Sequence, residues 1–183
     1  MANPVKSVIV KPLNGQASIV ANEFVVVETG TAEAPVAIPS EGKVLVHLSV
    51  WEANKAALTA RAEAGDLGVY LNPEDNPEQL QGDVNVLKLI AFHFPVFKFG
   101  QGYSGAYLLR ARYGFKGDIR AFGDIWRDQF FYLARCGFTQ FDIKEGKCKA
   151  EFNTGNRFRY YIDSMLASKS RRDDKTRVMF ENL

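Results

Sequence analysis

The stretch Leu87-Lys88-Leu89-Ile90-Ala91-Phe92-His93-Phe94, followed by Gly100-Gln101-Gly102-Tyr103-Ser104 and by Ile119-Arg120-Ala121-Phe122-Gly123-Asp124, decides the architecture. A short apolar run gives way to a glycine-rich turn, a helical period follows, and a second apolar run begins. Repeated along a chain, that alternation is the signature of βα units, in which a helix carries the backbone back to start the next parallel strand. Working outward, the candidate strands are 44–50, 67–71, 87–94, 119–122 and 140–143. Their starts fall roughly 20 to 30 residues apart, as crossover connections require.

The boundaries carry matching chemistry. Ser49 with Glu52, and Asn76 with Gln79 across Pro77, have capping-box spacing, in which side chains satisfy free amides at a helix start. Ser104 is expected to cap the next helix with Tyr103 and Leu108 as a hydrophobic staple, and Asp124 the one after. Gly65, Gly114 and Gly137 stand where helices should end in the left-handed conformation. A small repeat supports this. Tyr107-Leu108-Leu109-Arg110 before Tyr113-Gly114-Phe115 is echoed by Tyr132-Leu133-Ala134-Arg135 before Cys136-Gly137-Phe138, each Phe placed to pack back on the last helical turn.

Strand parity refines the fold. Val44, Val46, Leu48 and Val50 share one face while His47 and Ser49 take the other; Leu67, Val69 and Leu71 oppose Gly68 and Tyr70; Ile119 and Ala121 oppose Asp118 and Arg120. Parallel sheets covered on both faces usually read as unbroken apolar runs. Here one face is uniformly apolar. The reading is α/β, a mostly parallel βα-repeat sheet, curved like part of a barrel with helices outside and a more polar concave side; a Rossmann-like open sheet is the alternative.

Upstream, 7–11 and 17–20 flank Asn14-Gly15, a type I′ turn pair, and Phe24-Val25-Val26-Val27 follows, so residues 6–28 read as a β-meander. Pro12 cannot donate to a ladder, which puts its strand at an edge. Residues 29–42 read as a linker. The division expected is 1–42 for the β-meander and linker, 43–148 for the parallel α/β core, and 149–183 for a C-terminal helix and charged tail. That helix draws on Phe158, Tyr160, Tyr161, Ile162, Met165 and Leu166, and the tail on residues 168–177 of mixed charge.

The 183 residues carry 23 Lys plus Arg against 21 Asp plus Glu, a net charge of +2, and are 46% hydrophobic. That balance argues against a nucleic-acid or membrane partner. The apolar segment before Lys11-Pro12 is too short for a signal-peptide core and no run has a membrane span's length, so the expected location is the cytoplasm. Cys136 and Cys148 form no CxxC pair and no Cys/His cluster, so no metal site is expected.

Sites in such folds gather at the C-terminal strand ends. Gly100 and Gly102 would let backbone approach an anion, with Gln101, Tyr103 and Ser104 beside it; the alternative is a tight loop and a capped helix. Arg120, Asp124, Arg127, Asp128 and Gln129 form a second group, suited to a ligand or to an ion-pair network. His47 and His93, the only histidines, are general-base candidates or hydrogen-bonded core residues. No catalytic residue is identified by order or spacing. The segment 124–136, read as a helix with Ile125, Trp126, Phe130, Phe131, Tyr132 and Leu133, is apolar over more surface than one core-facing stripe needs, and suits a partner, a second copy of the chain, or a deeply buried helix.

The run Gly102-Tyr103-Ser104, Leu108-Leu109-Arg110, Arg112-Tyr113-Gly114-Phe115-Lys116-Gly117, Arg120-Ala121-Phe122-Gly123-Asp124, Arg127-Asp128-Gln129 and Arg135-Cys136-Gly137-Phe138 resembles the bacterial domain-of-unknown-function family nine hundred thirty-four. The resemblance is dense over about a third of the chain and looser over 43–86, where Val50-Trp51-Glu52 is similar to the family's first βα junction. Its members are labelled oxidoreductases involved in sulfite reduction, which implies a place in sulfur assimilation beside a sulfite reductase. The chain departs from the family pattern in having His93 where Glu is usual, Phe99 for Asp and Gln101 for Arg. Those departures imply altered binding or a noncatalytic relative. No flavin, nicotinamide or iron–sulfur motif occurs, so no redox cofactor is expected. Three functions follow as expectations: an accessory protein that binds sulfite reductase, a small enzyme or binder of a small anion at the strand ends, and a noncatalytic homo-oligomer.

Overall fold

The computed structural model describes residues 7–10, 18–28, 37–96 and 98–143. These residues form one eight-stranded sheet: β1 Ser7–Val10, β2 Ser18–Ala21, β3 Phe24–Val26, β4 Lys43–His47, β5 Leu67–Leu71, β6 Leu89–Phe94, β7 Asp118–Gly123 and β8 Gln140–Ile143, in the order β2-β1-β8-β7-β6-β5-β4-β3. From β3 to β8 all neighbours are parallel; β1 runs antiparallel to both β8 and β2. Helix α1 (Leu48–Ala64) follows β4, α2 (Gln101–Ala111) follows β6, and α3 (Phe130–Arg135) follows β7. The α/β fold is as the sequence implies, with antiparallel strands at its N-terminal end.

The sheet curls into a half-barrel. β2 and β3 lie at opposite ends of the strand order, yet only Asn22 and Glu23 separate them. Three residue steps reach at most about 11 Å, so the two outer strands must approach each other there. Side chains on the concave side record that approach. Arg120 of β7 donates to Asn22 Oδ1 at 3.0 Å, Asn22 Nδ2 donates to Asp142 of β8 at 3.3 Å, and the Arg120 guanidinium lies 4.9 Å from the Phe24 ring centre.

The two faces differ as strand parity dictates. On the convex side Val44, Val46, Leu67, Val69, Leu71, Ile90, Phe92, Phe94, Ile119, Ala121 and Phe141 pack with Trp51 and Ala62 of α1, Ala106 and Leu109 of α2, and Phe130 and Leu133 of α3. The concave side holds a smaller cluster of Leu45, Tyr70, Leu89 and Ala91 with Phe24 and Phe122, flanked by buried His47, Arg120 and Asp142.

Several local expectations change. The first parallel strand stops at His47, and Leu48 and Val50 are buried as residues of α1. The cap of α1 is the His47 imidazole, accepting from the Ser49 N–H at 3.3 Å, in place of Ser49 with Glu52. Asn76 does cap, accepting from Glu78 N–H at 3.0 Å with Pro77 in the first position of the 3₁₀ helix Pro77–Asp83. α2 begins at Gln101 after Gly100, which puts Ser104 inside the helix. Asp124 does not cap α3, which starts six residues later after the 3₁₀ turn Arg127–Gln129; its N–H donates to Phe94 O at 2.6 Å. β1 is interior, between β2 and β8, although an edge is expected for the Pro12 strand; pairing ends at Val10. Pro12, Asn14-Gly15, Cys148 and the 149–183 helix and tail lie outside the described residues.

Other expectations stand. Gly65, Gly114 and Gly137 follow α1, α2 and α3 with φ of 84°, 67° and 101°. Phe115 N–H donates to Leu109 O at 2.9 Å and Phe138 N–H to Leu133 O at 3.1 Å, so both halves of the repeat fold back alike and bury their Phe. The apolar surface of 124–136 is mostly core: Ile125, Phe130, Phe131 and Leu133 are buried, leaving Trp126 42% and Tyr132 59% exposed.

Candidate functional site

The C-terminal ends of β4, β5 and β6 bring four polar side chains together. Ladder register sets His47 opposite Tyr70, and His93 opposite Phe122, all on the concave parity. The chain leaving β5 turns at Asn72, and Asp75 folds back so that its Oδ2 accepts the Asn72 N–H at 2.6 Å. The same oxygen lies 2.8 Å from His47 Nε2. His47 Nδ1 faces the Ser49 N–H at 3.3 Å and the Ser49 hydroxyl at 2.8 Å. The side-chain amide of Asn72 lies between the two histidines, 3.1 Å from His47 Nε2 and 3.0 Å from His93 Nδ1. Aromatic rings fix both imidazoles: His47 meets Tyr70 edge-on at 5.1 Å, and His93 stacks on Phe122 at 4.9 Å with planes 18° apart.

Burial tunes these groups. It pushes His93 below the ordinary imidazole value, against a smaller opposing pull from Glu74, so the ring is neutral at neutral pH. Tyr70 is raised by burial and then by the Asp75 and Glu28 carboxylates. The Cys136 thiol is also raised by burial, which removes the thiolate a reactive cysteine needs.

His93 opens onto a cleft of about 790 Å³ between the 72–77 loop and α2, whose lining includes Asn72, Asp75, Phe92, Tyr107, Arg112 and Cys136. Gln101, Gly102, Tyr103 and Ser104 line it too, and Gly100 stands at the start of α2. Gly102 has a packing reason: a Cβ there would come 2.7 Å from Phe94 Cζ, and one at Gly105 2.6 Å from Phe92 Cε1. The glycines let α2 settle on β6.

The second group of candidates divides. Gln129 reaches the cleft wall indirectly, its Nε2 donating to the Tyr103 hydroxyl at 3.3 Å. That donor and burial act oppositely on Tyr103, and burial prevails, holding its hydroxyl above the usual range. Arg120 is buried on the concave side, donating to Gln140 Oε1 at 2.9 and 2.6 Å as well as to Asn22. Asp124 sits half-buried after β7 and Asp128 is exposed; with Arg120 they are not among the described lining residues. Arg127 lies in the 3₁₀ turn.

The His47–Asn72–Asp75–His93 grouping is what sequence reasoning did not assemble. Its signal was limited to His47 on the polar parity of the first candidate strand and His93 near the end of the third. The return of Asp75 onto His47 had no such signal. Among the described residues no group of three or more His, Cys, Asp or Glu side chains is placed to hold a metal ion, and no helix is long and apolar enough to cross a membrane.

A family model described as "Bacterial protein of unknown function (DUF934)" matches residues 68–169, which takes in the cleft, β5 through β8 and the run quoted above. No curated protein and no solved structure matches the chain. Since the match covers more than half of the 183 residues, the chain belongs to the bacterial family of unknown function DUF934.

Proposed function

We propose that this chain is a cytoplasmic accessory protein of sulfite reduction, which binds sulfite reductase and carries no redox cofactor of its own. Support comes from the resemblance of residues 102–138 to proteins bearing that label. The structural observation in its favour is the exposure of Trp126 and Tyr132 on the β7–β8 connection, inside the stretch the family model covers. Aromatic side chains on a surface are favoured anchors for a protein partner. The test is co-purification of the full chain with sulfite reductase, paired with growth of a deletion strain on sulfite as sole sulfur source. Capture that fails for Trp126→Ala with Tyr132→Ala supports the reading. No capture together with unchanged growth sinks it.

A second reading is favoured by the cleft itself: a small enzyme or binder that takes a small oxygen-bearing anion at the C-terminal strand ends. α2 begins without a side-chain cap, and its first residues line the cleft beside Ser104. Titration with sulfate, phosphate or adenylyl sulfate, followed at the backbone amides of residues 100–104, tests it. Saturable shifts confined to those amides and the 72–77 loop are expected. Silence with all three removes the reading.

A further inference from the structure

We propose that His93 donates a hydrogen bond from Nε2 to an acceptor oxygen, carbonyl or oxyanion, of a small molecule in the cleft, with Asn72 and the His47–Asp75 pair as the positioning groups that set its tautomer. The proposal rests on the second reading above and names the group that would meet the ligand.

The tautomer follows from a chain of donors and acceptors that starts at Ser49. A backbone N–H can only donate, so His47 Nδ1 presents its lone pair to Ser49 N. The His47 proton is then on Nε2, 2.8 Å from Asp75 Oδ2, which accepts it. Asn72 offers one oxygen and one NH₂ group to the two rings. With Nδ2 toward His47 and Oδ1 toward His93, a donor would face the Nε2–H donor. Turned half a rotation about χ2, which leaves the shape of the amide unchanged, Oδ1 shares the His47 Nε2–H with Asp75 Oδ2 in a three-centre bond and Nδ2 donates to His93 Nδ1. His93 Nδ1 is therefore an acceptor, and the His93 proton is on Nε2.

That nitrogen is the one left for a ligand. Among the described residues no hydrogen bond reaches His93 Nε2, while the residue lines the cleft. A doubly protonated His93 would need Asn72 to turn its oxygen back, against His47, so the network and burial both keep the ring neutral. A neutral N–H donor, with the Ser104 hydroxyl and the Gln101 amide on the same cleft lining, suits an oxygen acceptor. Of the nearby carboxylates, Asp75 already accepts from His47 and from the Asn72 N–H.

The experiment is ¹⁵N–¹H correlation of the imidazoles in the full chain, where two histidines leave little ambiguity. His93 should show a protonated Nε2 and an unprotonated Nδ1 at neutral pH, and sulfate or acetate should shift that Nε2 signal. His93→Phe should weaken sulfate and acetate roughly tenfold, the loss of one good hydrogen bond, and His93→Gln, which restores an N–H donor, should recover most of it. A proton on Nδ1 overturns the inference whatever binds. Shifts at residues 100–104 with an unmoved His93 also overturn it, while leaving the second reading intact. Silence everywhere sinks both.

Discussion

His47 shows how one side chain can serve the fold and the rim at once. Its Nδ1 caps α1 through the Ser49 N–H, and its Nε2 anchors the loop that carries Asp75. His47→Ala removes both, so unfolding in urea should show a loss of about 1–3 kcal/mol, a lost cap plus a lost hydrogen bond to a charged group. His47→Asn, which can still cap, should recover part of it. His93 gives a pH signature of known sign. Its folded value lies below the ordinary 6.5 because burial disfavours the imidazolium. Around it stand Asn72 with His47 and Asp75 beyond, Glu74 in the same loop, and Phe122 on β7. Above 6.5 the ring is neutral folded or unfolded; as pH falls from there through the lower folded value, the unfolded chain takes up the proton first. Stability attributable to His93 is thus present above 6.5 and lost on acidification. Urea midpoints measured between pH 7 and pH 5 should fall less steeply in His93→Phe than in the parent; an identical slope would contradict the assigned burial effect.

At the level of elements, α2 comes close to β6 at Gly102 and Gly105, beside the packed side chains of Tyr103, Ala106 and Leu109. A methyl at Gly105 would press on the Phe92 ring, which itself lies on the cleft lining. Gly105→Ala should therefore cost about 1–3 kcal/mol by overpacking, read as a lower urea midpoint with an unchanged denaturant slope. A neutral outcome would mean that Phe92 yields into the cleft. Much of the element pattern was legible: Leu67–Leu71 and Gln140–Ile143 agree with the candidate strands residue for residue, and the glycines after each helix take the conformation expected. The caps were harder to read, because Ser, Asp and Asn signal a helix start only when the backbone turns at that residue. At Ser49 the helix had already begun, and at Asp124 the chain first buries Ile125 and makes a 3₁₀ turn. Alternation in 44–50 misled for a related reason, since Leu48 and Val50 also fit the buried side of a first helical turn.

For the molecule as a whole, the polar parity of His47, Tyr70 and Arg120 announced a concave side, but not what closes it. Closure depends on Asn22 and Glu23, two residues that carry no secondary-structure signal and yet join the outer strands. Arg120 is the strut across that join: it ties β7 to β8 through Gln140 and to the β2–β3 link through Asn22, while its guanidinium lies over Phe24. The arginine is 4% exposed, and burial lowers its pKa against the pull of Asp142 and Asp118. Arg120→Leu would fill the space but take away the guanidinium's hydrogen bonds to Gln140 and Asn22 and its pull on the buried Asp142 carboxylate, a change expected to cost about 1–3 kcal/mol. The loss should exceed that of Asn22→Ala, which removes hydrogen bonds but leaves the cation in place. Hydrogen exchange distinguishes this strut from an ordinary core residue, because amides of β3 and β8 should lose protection together in Arg120→Leu while those of β5, separated from β7 by β6, keep theirs. Loss below about 1 kcal/mol, or protection lost evenly across the sheet, would assign the curl to the two-residue connection alone.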